Sequence, residues 1–237
     1  MEQIAEFSDT RHRYWCIHCG QSITNGPTSQ DHVPSKSLLD KPYPAELPTV
    51  EICRKCNSSF SLNEDYFSAF LGAALSRTTD PEKQVTTIST RILSRNLKLR
   101  ERIEKSRTDY QTLGGKTQTI WKPEHARIHN VIVKNARGHV YFELGQPALG
   151  EPASVSVIPM SALSDTEQNA FFDINHDSGW PEIGSRLMTR RMTRQDLDGS
   201  WVVVQDGVYR FAATEDDGFL VRTLIRDYLA AEVIWRH

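Results

Sequence analysis

Cysteine is scarce in this chain. It has four among 237 residues, and all four fall in two Cys-x-x-Cys pairs, Cys16/Cys19 and Cys53/Cys56. The N-terminal stretch MEQIAEFSDTRHRYW has no apolar h-region and no small-residue cleavage site, which argues against secretion. In a reducing, cytoplasmic setting, paired cysteines point to metal rather than to disulfides. No apolar run is long enough to cross a membrane, so no membrane partner is expected. A Walker loop, a dinucleotide fingerprint and a nucleophile elbow are all missing, which sets aside phosphate-loop, Rossmann-cofactor and serine-hydrolase chemistry.

What is present suits a globular protein of one or two domains. With 38% apolar and 24% charged residues the chain can bury a real core. Two Cys-x-x-Cys pairs supply four thiolates at the spacing of a tetrahedral zinc site, and they pin the intervening segment at both ends. That segment carries Asp31-His32 in the phrase DHVPSK, and Asn57 follows Cys56 directly in CRKCN. A carboxylate and an amide oxygen suit a hard divalent cation, and a neutral imidazole beside them suits a base. Together these groups can hydrolyse a phosphodiester.

The order CxxC, DH, CxxCN resembles the HNH (His-Me finger) endonucleases, in particular the zinc-containing branch typified by endonuclease VII. The likeness spans Cys16 to about Phe67, less than a quarter of the chain. It implies a ββα-metal unit in which Asp31 and His32 end the first strand and Asn57 opens the helical part. By the same resemblance Asp31 and Asn57 hold one Mg²⁺, and His32 is the general base. The chain departs from the pattern in one place: where many members carry a loop asparagine, PAELPTVEIC brings Glu46 and Pro48 instead. The chain as a whole also resembles a group of uncharacterised bacterial HNH proteins. In NSSFSLNEDYF, Asn63, Glu64 and Asp65 read as a cap and acidic first turn of a helix through Phe67 and Leu71, or as extra metal ligands.

Charge is unevenly spread. Residues 81–138 hold 13 Lys and Arg against 5 Asp and Glu, and residues 139–237 hold 8 against 15. This asymmetry suggests a basic face for phosphate and an acidic remainder. PEKQVTTISTRILSRNLKLRERIEKSR reads as one amphipathic helix starting at Pro81, with Ile88, Ile92, Leu99 and Ile103 on its apolar side. Arg91, Arg95, Lys98 and Arg102, together with Lys36 of DHVPSK, are the candidate nucleic-acid contacts. A Gly114-Gly115 turn leads to a second helix from about Pro123 to Glu143. Farther on, Ser154–Pro159, Trp201–Gln205, Val208–Ala213 and Phe219–Ile225 read as strands, with Asp206-Gly207 a hairpin turn. Arg186, Arg190, Arg191 and Arg194, near Trp180, read as a polar rim or a phosphate patch.

The expectation is therefore an α+β protein with three parts: a zinc-stapled ββα-metal nuclease core over 1–80, a basic helical segment over 81–146, and a C-terminal small antiparallel sheet with helices over 147–237. Its expected function is metal-dependent DNA cleavage, with structural Zn²⁺ and catalytic Mg²⁺ or another divalent cation. The alternatives are a non-catalytic zinc-ribbon module binding nucleic acid or protein, and a nuclease acting on RNA.

Overall fold

The segment carrying Asp31 and His32 is a strand in the computed structural model, which describes residues 12–111, 114–115, 117–174 and 181–236. Strand β1, Thr28–His32, pairs antiparallel with β2, Thr49–Cys53, so that Asp31 lies opposite Val50 and His32 opposite Thr49. Alternation along the strands puts Asp31, Val50 and Ile52 on the buried face and Gln30, Thr49 and Glu51 toward solvent. Helix α1, Arg54–Ser76, begins directly after β2 and completes a ββα unit. Because α1 starts at Arg54, Asn63, Glu64 and Asp65 lie in mid-helix and not at its N-terminus, which corrects the cap reading.

The chain divides into two units, one comprising residues up to Ser59 together with those from Ile132 onward, the other Phe60–Val131. The second unit holds most of α1, then α2 (Thr87–Arg95), α3 (Leu97–Glu104), the hairpin of β3 (Arg107–Gln111) with β4 (Thr117–Trp121), and the start of α4 (His125–Leu144). The basic segment is thus two helices, not one. Thr86 caps α2 through a 3.1 Å bond from the Ser89 amide. Asn96 closes α2 and caps α3, its side chain accepting from the Leu99 amide at 3.0 Å. Gly114-Gly115 does separate the basic helices from α4, but in the β3–β4 connection, so a hairpin and not a simple turn lies between them. The second helix does span the stretch its pattern indicated, with Ile128, Val131, Ile132, Ala136 and Val140 all buried.

In the first unit, β5 (Ser154–Pro159), α5 (Asp165–Phe172), α6 (Arg186–Thr193), β6 (Leu197–Asp198), β7 (Trp201–Gln205), β8 (Tyr209–Asp216), β9 (Gly218–Ile225) and β10 (Leu229–Arg236) follow. The strands form one antiparallel sheet in the order β5-β10-β9-β8-β7-β6. One face packs Phe171 and Ile174 against Trp201, Ala212, Leu224 and Ala230. The opposite face receives α4: His139 stacks on Phe211 at 3.6 Å and shares a 2.9 Å hydrogen bond with the Tyr209 hydroxyl. Beside it Arg190, with no exposed surface, meets Glu143 at 3.0 Å and Asp196 at 2.9 Å, and Arg186 lies over the Phe142 ring. Two of the four clustered arginines therefore belong to the core, not to a rim. Trp180 lies outside the described residues.

The other side of α4 meets the strand end. Gly138 faces Val33 so closely that a Cβ there would stand 2.6 Å from Cγ2 and 2.7 Å from Cγ1 of Val33. Gly138→Ala is expected to destabilise the protein by about 1–3 kcal/mol through overpacking, although alanine is the better helix former. Chemical denaturation checks this; a gain in midpoint would show that the contact relaxes freely.

Candidate functional site

The Sγ atoms of Cys16, Cys19, Cys53 and Cys56 all lie within 4.8 Å of one another. Those of Cys19 and Cys53 are 3.8 Å apart. A tetrahedral zinc with bonds of about 2.3 Å requires thiolate separations near 3.8 Å, so the four cysteines are close enough together to hold a zinc ion. Local backbone builds each half. The knuckle closes when the Gly20 amide donates to the Cys16 carbonyl at 2.8 Å, and the Cys56 amide points at Cys53 Sγ at 3.4 Å from the first turn of α1. Burial pushes the Cys16 and Cys56 thiols up, whereas hydrogen bonds within the cluster outweigh burial at Cys53 and lower it. Four thiolates this close repel one another unless a cation joins them, which is the chemical case for a metal. Arg137 of α4 adds positive charge close to Cys56, Cys16 and Cys19 and donates to the His18 carbonyl at 3.1 Å, fastening the knuckle to the helix.

Asp31 is only 6% exposed, and its carboxylate is already engaged. Oδ1 meets Lys134 Nζ at 2.6 Å and Oδ2 faces His18 Nε2 at 3.5 Å. Lys134 also donates to Ser35 Oγ at 2.8 Å, and Ser35 in turn bonds the Asn135 side chain at 3.0 Å. Burial pushes the Asp31 carboxyl up, but the His18 hydrogen bond and the Lys134 charge together outweigh it and hold the group below its ordinary value. Burial pushes the His18 imidazole below its ordinary value, and Lys134 is the side chain in ion-pair contact with the carboxylate. Mg²⁺ does not fit this carboxylate as it stands, because the ammonium occupies the cation's side.

Lys134→Met is expected to cost about 3–5 kcal/mol, since it strands a buried carboxylate. The double variant Asp31→Asn/Lys134→Met should recover a large part of that loss in urea melts. Additive losses would show that the two groups act independently.

The remaining candidates are placed as follows. His32 ends β1 half-buried, on the side of the strand opposite Asp31. Asn57, in the first turn of α1, donates from Nδ2 to Ser29 Oγ at 2.8 Å, and Ser29 shares the Asp31 side of β1. The structure therefore brings Asp31 and Asn57 to one face of the hairpin, with His32 adjacent in sequence and turned away. Lys36 sits in a 3-10 turn with its ammonium 5.4 Å from the Tyr43 ring. In the other unit Arg91, Arg95 and Lys98 are exposed, whereas Arg102 is committed to Glu124 at 2.6 Å and is a poorer phosphate ligand than its sequence position suggested.

Comparison with family models, with curated proteins and with solved structures finds no match for this chain. The cysteine cluster thus stands on its own geometry. Lys134 and Arg137 do not stand out in the sequence as partners of the site, whereas His18, inside the first knuckle, reads there as a possible fifth zinc donor or a solvated knuckle tip; its side chain is instead buried and faces Asp31. The available signal was the polar run Lys134, Asn135, Arg137 and His139 inside a helix whose neighbouring positions are apolar. All four are buried. No described helix is long and apolar enough to cross a membrane.

Proposed function

We propose that the chain hydrolyses phosphodiester bonds in nucleic acid, with DNA preferred over RNA, through the strand end that its cysteine cluster holds in place. One observation carries this reading. The hairpin between the two cysteine pairs and the helix that starts within the second pair form a ββα unit; its first strand ends at Asp31-His32, and Asn57 of the helix bonds Ser29 on the Asp31 side of that strand. His32, in its neutral form, would take the proton of the attacking water. Asp31 anchors the strand end through Lys134, and Asn57 fixes the first turn of α1 to β1 through Ser29. The resemblance to HNH endonucleases implies a divalent cation on Asp31, but the pairing of Asp31 with Lys134 leaves His32 as the group on which the proposal rests.

That same ion pair favours a second reading, a non-catalytic zinc module that binds nucleic acid or protein, because a carboxylate locked against an ammonium serves structure. Nicking of supercoiled plasmid in the presence of Mg²⁺ separates the two. Cleavage that depends on His32 supports hydrolysis; none, from a folded and zinc-loaded chain that still binds DNA, supports the binding module.

A further inference from the structure

The zinc knuckle carries side chains that neither its metal nor its fold requires. Tyr14 is 61% exposed and Trp15 50%, although large aromatic rings ordinarily find cover. Trp15 is fixed rather than trailing. Its backbone bridges to Ser22, and the Tyr14 carbonyl accepts from the Ile23 amide at 2.9 Å, so the ring is presented on a closed loop. Beside the indole is an apolar cleft of about 210 Å³, lined by Trp15, Ile17, Gly20, Pro147 and Leu149, with Leu149 itself 51% exposed.

The other half of the staple is basic. Arg54 and Lys55 stand exposed between Cys53 and Cys56 at the start of α1, and the 3.8 Å approach of Cys19 to Cys53 ties them to the knuckle that bears Trp15. Arg13 adds an exposed cation on the aromatic side. Glu51 is the nearest acid in sequence on β2, and its carboxylate accepts from Thr28.

We propose that this aromatic and basic face of the cysteine cluster is a docking surface for unpaired nucleic acid, with a base stacked on Trp15 and the flanking phosphates met by Arg54 and Lys55. Both halves of the surface point to that occupant. A flat exposed ring takes a base only when the base is out of its pair, and exposed cations on the other half of the same staple can meet the phosphates that flank that base. An apolar protein segment would fit the cleft but would leave Arg54 and Lys55 without a counterpart. The proposal deepens the phosphodiesterase reading by naming its substrate class, single-stranded or locally open strands, and the binding itself needs no catalysis.

The test uses full-length, zinc-loaded chain carrying His32→Ala, titrated without added Mg²⁺ against labelled dT20, rU20 and a 20-base-pair duplex by fluorescence anisotropy. Binding of dT20 or rU20 tighter than duplex, with quenching of tryptophan emission, is expected. Trp15→Ala should weaken it roughly 5- to 150-fold, the range for loss of one stacked base, and Trp15→Phe should restore most of the affinity. Arg54→Gln/Lys55→Gln should instead flatten the plot of log affinity against log salt by about 1.4, or 0.7 for each phosphate released on a single strand. Zinc content, measured on every variant, shows that the staple is intact. Unchanged affinity in zinc-loaded Trp15→Ala, or preference for duplex, overturns the proposal. The nuclease reading fails separately: single-strand binding without any nicking by the His32-intact chain would leave this surface standing, and nicking without single-strand binding would do the reverse.

Discussion

Cys53→Ser is expected to unfold the N-terminal part of the first unit, and so is removal of zinc by a strong chelator. The reason is the size of what the metal holds. The cluster packed around the hairpin consists of Cys16, Ile17, Ile23, Val33, Val50 and Ile52, with Tyr141 and Phe142 against it, and two of its flanking members are themselves the ligands Cys53 and Cys56. So few side chains cannot offset the ordering of the knuckle, the hairpin and the long loop between β1 and β2. Structural zinc contributes on the order of 10 kcal/mol or more to small sites of this kind, and all of it is lost when one thiolate becomes a hydroxyl. Elemental analysis should find about one zinc per purified chain, and the thermal melt of Cys53→Ser should lose its main transition or shift far down. A metal-free protein with an ordinary melt would remove zinc from the account altogether.

His32→Ala is expected to lower plasmid nicking by about 10² to 10⁴-fold, the range for loss of a general base, with zinc content and DNA affinity kept. His32 is the last residue of β1, on the side of the strand opposite Asp31, so the substitution removes no member of the Asp31–Lys134 pair or of the cysteine cluster. The comparison that matters is therefore with Lys134→Met, which should lose folded protein before it loses chemistry. Equal nicking by wild type and His32→Ala would assign the activity to another protein in the preparation and leave the binding-module reading.

Sequence made some of this plain and hid the rest for identifiable reasons. The cysteine cluster was legible because ligand spacing is local and closes on itself within each pair. Strands β7 to β9 were legible from β-branched runs and from Asp206-Gly207, where Gly207 takes φ +65°. Strand β10 escaped notice. Its opening Leu-Ala-Ala-Glu favours a helix, and the turn before it uses Arg226 and Asp227 at φ +55° and +46°, positions where glycine or asparagine would have given the signal. The hairpin β3–β4 is hidden in the sequence because polar Thr, Gln and Asp dominate it and no alternation marks a buried face. The break at Asn96 was missed because an apolar repeat runs through it, yet a cap needs only one side chain and one amide. Lys134 is the instructive failure at the site itself. A lysine in a helix reads as solvent-facing, and nothing nearby in the chain announces a carboxylate 103 positions earlier, at Asp31.

That separation has a consequence for how the protein is made. The first unit is discontinuous, and Phe60–Val131 is inserted between its halves. The knuckle, β1, β2 and the beginning of α1 leave the ribosome long before the half of α4 that supplies Lys134, Asn135, Arg137 and Gly138. Until that helix arrives, the Asp31 carboxylate has no ammonium, Ser35 lacks the Asn135 side chain that binds it, and Val33 is uncovered. At that stage a zinc ion held by the four cysteines would join the knuckle to the β1–β2 hairpin, so zinc supply during synthesis would set the yield of correctly assembled chains.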